Sequence, residues 1–248
     1  MSGHSKWHNI RLRKQGQDAR KGKLFGKVSR EIIMAAKAGG GNPEANARLR
    51  LALQKAREAG LPNDTVKRAI QRGTGEIAGT SYEPVTYEGY APGGVAVMIH
   101  ASTDNRNRTV GEIRGVLTRN GGSLGESNCV AWIFQQKGLL LVPRAAASEE
   151  ALMEIALEGG AEDVTSDADS YEIITAPGDF EAVRSALAEK GIEPESAEVT
   201  LIPQSKVVLE EEKQAQQVLR LIEQLEDLED VQRVYANFDI PDAVMSAA

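Results

Sequence analysis

Cysteine occurs once in these 248 residues, at Cys129, so neither an internal disulfide nor a cysteine-rich zinc site can form. That excludes a disulfide-stapled scaffold and suits a reducing compartment. Aromatic residues make up only 4% of the chain, so its cores must be built from Ala, Val, Leu and Ile. Histidines number three. His4 and His8 stand four apart without a nearby acidic or cysteine partner, and His100 closes an apolar strand, so no metal site is predicted. No apolar run approaches the roughly 18–20 residues that span a bilayer. The basic N-terminus has no apolar segment behind it, so no secretory signal is expected. Cytoplasmic localisation follows as the expectation, with a mitochondrial matrix location as second choice. Gly73-Thr74-Gly75 lacks the GK[ST] of a phosphate-binding loop, and no motif sets a nucleophile beside a base. No enzyme activity, cofactor or small-molecule substrate is therefore predicted.

The chain does have charge of both signs, unevenly placed. Up to Arg72 there are 17 Lys and Arg against 5 Asp and Glu; from Gly73 onward there are 12 against 31. The overall net charge of −7 averages over that division. A strongly cationic leading segment on an acidic protein reads as a polyanion-binding module, with nucleic acid as the expected partner.

Periodicity organises the rest. Residues 1–23 are polar, basic and glycine-containing, and read as a flexible arm. Leu24–Ala38 has helical spacing, with Val28, Ile32, Ile33, Ala35 and Ala36 on one side and Lys23, Lys27, Arg30 and Lys37 on the other. Gly39–Gly41 ends that helix, Asn42 and Pro43 suit the N-cap and first position of a second, and Asp64–Arg72 forms a third. Gly73-Thr74-Gly75 reads as the linker leaving this bundle. Val85–Tyr90 and Val95–Ala101 flank a hairpin turn at Ala91–Gly94, Val110–Leu117 is helical, and Cys129–Gln135 reads as a strand. Leu139 to Ile202 then spells βαββαβ, the ferredoxin-like order. An acidic amphipathic helix, Glu210–Leu228, with a solvated outer face, and a strand over Val231–Phe238 complete the chain. The predicted class is α+β and multidomain: a three-helix domain followed by two α/β domains, the ferredoxin-like one inserted within the other. The boundaries are 1–78, then 79–134 plus 206–248 as a discontinuous domain, with 135–205 inserted.

Three groups of residues could hold phosphate. The arm and first helix supply Lys6, Arg11, Arg13, Lys14, Arg20, Lys21, Lys23, Lys27 and Arg30, with Trp7 and His8 among them; an indole amid cations can stack on an unpaired base. The second and third helices, joined by a four-residue turn, suggest a helix-turn-helix presenting Lys67, Arg68 and Arg72. Arg106 and Arg108 sit in Thr103–Thr109 at a helix start, where they could clamp an anion, and where Asp104, Asn105 or Asn107 could cap the helix; the two readings can hold together. No dimer seam is visible, so a monomer is expected.

Several long stretches carry a family resemblance. They are Gly3–Ile10, Phe25–Ala38, Gly40–Pro43, Asn63–Gly75, Tyr87–Gly94, Thr103–Thr109 and Gly121–Leu124. Together they resemble the YebC/PmpR family, whose mitochondrial relative is a translational activator of cytochrome c oxidase. The resemblance implies a three-domain, non-catalytic protein. It further implies a DNA-binding transcriptional regulator or, alternatively, a ribosome-associated, rRNA-binding translation factor acting where proline-rich nascent chains stall.

Overall fold

The computed structural model describes residues 18–166, 170–241 and 244, with side chains from Gly22 onward. It is a mixed α+β structure opening with helices α1 (Asp18–Gly39), α2 (Ala47–Glu58) and α3 (Asn63–Thr74). Strands β1 (Glu83–Ala91) and β2 (Val95–Thr103), helix α4 (Arg106–Arg119) and strands β3 (Ser123–Leu124) and β4 (Phe134–Pro143) follow. Then come α5 (Glu149–Glu158), β5 (Ala161–Ser166), β6 (Ser170–Thr175), α6 (Phe180–Glu189) and β7 (Ser196–Pro203). The chain closes with β8 (Val207–Val208), α7 (Glu212–Glu226), β9 (Val231–Ala236) and β10 (Phe238–Asp239). Two compact units result. One contains the described residues up to Cys129 together with Gln216–Val234; the other contains Val130–Ala215 and the described residues from Tyr235.

In the first unit α1 buries Val28, Ile32, Ile33, Ala35 and Ala36 against Leu49, Ala52 and Ala56 of α2, Ala69 of α3 and Leu61 between them. Helix α1 starts six residues before the predicted Leu24, so residues 18–23 belong to a helix and not to the arm. Gly22 reads locally as a breaker. A glycine inside a helix costs only about 1 kcal/mol, which a long packed helix absorbs. The second helix is capped by Asn46, not by Asn42. Asn46 Oδ1 accepts the Leu49 amide at 3.0 Å while its Nδ2 donates to the Ala35 and Gly40 carbonyls, at 2.9 and 2.8 Å. One buried amide thus closes the start of α2 and the end of α1. Asn42 instead makes a local turn with the Glu44 amide. Gly73 is no linker. It lies in α3 against α1, where a Cβ would stand 2.5 Å from the Ile33 carbonyl oxygen and 2.6 Å from Ala36 Cβ.

The same unit holds a four-stranded sheet of order β3-β1-β2-β9. The β1–β2 hairpin is antiparallel, in register from Glu83↔Thr103 to Ala91↔Val95, as the Ala91–Gly94 signal predicts. The end of α4 is tied to α7: Asn120 Nδ2 donates to Gln224 Oε1, and Gln217 Nε2 donates to the Asn120 carbonyl, each at 2.9 Å.

In the second unit β4, α5, β5, β6, α6 and β7 follow in sequence. Their strands form a sheet of order β5-β6-β4-β7 with every neighbouring pair antiparallel. Leu140, Val142, Tyr171 and Ile173 pack on Leu152 and Ala156 of α5 and Phe180, Val183 and Leu187 of α6. The predicted strand over Cys129–Gln135 does not form. Ala131–Ile133 is a 3-10 turn, and a single strand starting at Phe134 replaces two predicted ones. Val130 and Ile133 are buried three apart while Trp132 between them is 71% exposed, the period of a 3-10 turn and not of a strand. Strands β8 and β10 pair in parallel, Phe238 opposite Val207.

Candidate nucleic-acid interface

The cations of the bundle fall into an exposed set and an engaged set. Lys67, Arg68 and Arg72 of α3 are exposed, on the side opposite buried Ala69 and half-buried Val66 and Ile70. Arg48, Arg50 and Arg57 of α2 are exposed as well. Between α2 and α3 lies an open cleft of about 210 Å³, lined by Leu53, Ala56, Arg57, Leu61, Asn63 and Val66. Helix α2 is ended by Gly60 at φ 72° and closed by the Leu61 amide on the Ala56 carbonyl, 2.8 Å, a Schellman closure that begins the turn to α3. That turn lets α3 return along α1 with its cations outward. Lys6, Trp7, His8, Arg11, Arg13 and Lys14 lie outside the described residues. Arg20 and Lys21 fall within α1, and their side chains are outside the description too.

The engaged set lies mainly on α1, with Lys55 of α2 paired to Glu31 at 2.7 Å. Lys23 pairs with Asp227 at 3.4 Å, and Lys27 Nζ donates to the Glu226 carbonyl. Arg30, predicted on the outer charged face, is buried instead. Its guanidinium donates to the Glu229 carbonyl and carboxylate, stands 3.8 Å from Asp230 Oδ1 and stacks 5.2 Å over the Tyr82 ring. The outer face of α1 is covered there by the acidic stretch after α7, which a helical wheel of α1 alone does not show. The outer face predicted as solvated for Glu210–Leu228 is exposed at Glu210–Glu212, but at its end Glu226 and Asp227 meet the cations of α1 instead.

Arg106 and Arg108 are likewise committed to carboxylates. Arg106 grips Glu83 with two donors, Nε at 2.5 Å and Nη2 at 2.9 Å, and that grip holds the Glu83 carboxyl below its ordinary range and raises the guanidinium. Arg108 Nη2 donates to Asp104 at 2.7 Å and to Asp230 Oδ2 at 2.6 Å; these bonds raise its pKa. Asp230 Oδ2 also accepts from the Thr109 hydroxyl at 2.7 Å and the Thr103 hydroxyl at 3.3 Å. Burial pushes the Asp230 carboxyl up, but the bonds from Arg108 and Thr109 and the charges of Arg108 and Arg30 outweigh it, so its pKa lies below 3.8. Asp230 Oδ1 has no hydrogen-bond partner and faces Arg30 across that 3.8 Å gap. Of the two readings of Thr103–Thr109, the geometry displays the cap: Asn105 Oδ1 accepts the Arg108 amide at 3.1 Å.

Among the described residues no three His, Cys, Asp or Glu side chains converge as a metal site would need, and no helix is long and apolar enough to cross a membrane. The family model for the TACO1/YebC N-terminal domain matches residues 5–76, and the model for the TACO1/YebC second and third domain matches residues 82–238. The chain belongs to the TACO1/YebC family. A relative from Dictyoglomus turgidum is 54% identical over all of this chain and 99% of its own length; one from Pelotomaculum thermopropionicum is 54% identical over 98% of this chain and all of its own. Both are named "Probable transcriptional regulatory protein". A crystal structure of a conserved hypothetical protein from Aquifex aeolicus superposes with a TM-score of 0.80 at 49% identity, covering 91% of this chain and 93% of that one.

For this TACO1/YebC chain, sequence reasoning left out Arg48, Arg50 and Arg57, whose alternation with buried Leu49, Ala52 and Ala56 is a readable signal. It also left out Tyr82, Asp227, Glu229 and Asp230. No local signal marks the acidic residues among them, because their partners on α1 are some 199 positions away.

Proposed function

We propose that this protein is a non-catalytic, DNA-binding regulator of transcription that docks on phosphates through its cationic leading domain. The carrying observation is the outward row of Lys67, Arg68 and Arg72 on α3, in a bundle whose neighbouring helix adds Arg48, Arg50 and Arg57. The naming of its relatives as transcriptional regulators supports the same reading. In this proposal the arm residues Lys6, Trp7, His8, Arg11, Arg13 and Lys14, with Arg20, Lys21, Lys23 and Lys27, extend the docking surface. Arg30, Arg106 and Arg108 hold the framework behind it. The working division is 1–78 for the docking domain, 79–134 plus 206–248 for a discontinuous α/β domain, and 135–205 for an inserted ferredoxin-like domain. The β5-β6-β4-β7 order supports the last assignment. The protein acts as a cytoplasmic monomer without cofactor, metal or small-molecule substrate.

The test is fluorescence anisotropy with a labelled DNA duplex over a salt series. The wild type binds, and the triple charge reversal Lys67→Glu, Arg68→Glu, Arg72→Glu weakens binding. It also flattens the logarithmic salt slope by about 0.9 for each phosphate no longer neutralised. Unchanged affinity in the triple variant overturns the proposal. Structured rRNA that displaces the duplex at equal concentration would move the assignment to translation.

A further inference from the structure

The engaged cations of α1 are placed on one face: Lys23, Lys27 and Arg30 stand four and three residues apart, one turn after another. All three meet the short stretch Glu226-Asp227-Leu228-Glu229-Asp230. By its own local physics this stretch is poorly placed. It begins at the last residue of α7 and runs on from the negative end of the helix dipole, where cations are favoured. The last turn of α7 carries no basic residue, and four of the five residues from Glu226 to Asp230 are acidic. The missing compensation comes from α1: Lys27 caps the Glu226 carbonyl, as a basic side chain at a helix C-terminus does, and Lys23 and Arg30 neutralise the carboxylates on either side. A run of carboxylates and carbonyl oxygens on a cationic helix face presents the oxygens and charge that a phosphodiester backbone would present.

The pairings differ in permanence. Arg30, with a side chain 7% exposed and Tyr82 under its guanidinium, is fixed. Lys23 and Asp227 are 53% and 58% exposed, and an ion pair so open to water contributes at most about 1 kcal/mol. The outer end of the acidic stretch is therefore exchangeable and the inner end is not.

We propose that Glu226–Asp230 is an intramolecular phosphate mimic. In the unbound protein it occupies the cationic face of α1, and on binding it yields Lys23 from Asp227 to a phosphate of the nucleic acid, while Arg30 keeps the segment anchored. The proposal rests on nucleic-acid docking by the leading domain and adds its regulation. It makes docking selective: a polyanion must be held at enough other points on the bundle to displace the resident carboxylate.

The experiment is a double-mutant cycle on the full chain, with Asp227→Asn and Lys23→Gln singly and together, read by anisotropy with a labelled DNA duplex at low salt. Asp227→Asn tightens binding about twofold to fivefold, the worth of an exposed ion pair. In the Lys23→Gln background the same substitution has no effect, because the cation it releases is gone. A gain of equal size in both backgrounds would reduce Asp227 to a general repulsive charge and overturn the mimic, as would no gain in either. These results leave the docking proposal standing whenever the wild type binds and the α3 reversal binds more weakly. A wild type that ignores the duplex removes both. Asp227 is exposed, so thermal melting of the variants checks only that the fold persists.

Discussion

Neutralising Asp230 perturbs the centre of the first unit while preserving its shape. In Asp230→Asn the side chain keeps its volume and one carbonyl oxygen but loses its charge. That carboxylate is 2% exposed and accepts from Arg108, Thr109 and Thr103 at 2.6, 2.7 and 3.3 Å, with Arg30 3.8 Å away. A hydrogen bond to a charged group contributes about 1.5–3 kcal/mol. Arg108 is 45% exposed and recovers water and Asp104, so its share is discounted. Arg30 makes no hydrogen bond to Asp230 and keeps both Glu229 and the Tyr82 ring, so most of the loss falls on the bonds from Arg108 and Thr109. Removing one partner of a buried pair costs about 3–5 kcal/mol, and the lower part of that range applies here. At roughly 2–4 °C per kcal/mol for a chain of this length, the melting transition should fall by about 10 °C near neutral pH. The sign of the pH dependence follows from the depressed pKa of Asp230. Its stabilisation is complete above the unfolded carboxyl value and is lost as pH falls through the folded one. The gap between wild type and variant should therefore be constant above about pH 5 and close in stronger acid. Differential scanning calorimetry at several pH values measures it. A variant melting within about 2 °C of wild type at neutral pH, or a gap undiminished in strong acid, refutes the reasoning.

Gly73→Ala separates packing from propensity. Helix propensity alone predicts a gain of about 1 kcal/mol, whereas the approach of α1 predicts a loss of about 1–3 kcal/mol, so the sign of the shift in urea midpoint decides. Asn46→Ala should cost about 2–3 kcal/mol in the same assay. That exceeds the ~1 kcal/mol of an ordinary cap, because the Ala35 and Gly40 carbonyls lose their donor too. Asn46→Asp, which keeps the acceptor for Leu49 but loses the amide donors, should recover only part of it.

Helix spacing and turn chemistry made most elements legible. The apolar stripe of α1, the hairpin at Ala91–Gly94 and the whole of Phe180–Glu189 stand where the residues alone place them. The failures share a physical origin. Two asparagines precede α2, and only the position of the Ala35 and Gly40 carbonyls selects Asn46. Gly73 between polar residues reads as a break until α1 is laid across it. The two-residue strand β3 is too short for any periodicity and exists because Gly89 and Tyr90 lie alongside to pair with it. At the candidate interface the count of cations was legible and their availability was not. Lys67 and Arg30 look alike in sequence, yet one faces water and the other is enclosed by residues from the far end of the chain.

That far end arrives late. Arg30 and Glu229 are 199 positions apart, and at a synthesis rate of about 5–20 residues per second the first helix waits on the order of 10–40 s for its acidic counterpart to be made. Throughout that interval Lys23, Lys27 and Arg30 lack those acidic partners while the chain is attached to a ribosome, a particle rich in phosphate. The nascent chain then meets a competing polyanion before Glu226–Asp230 exist, and synthesis of that segment is what supplies the carboxylates that cover α1.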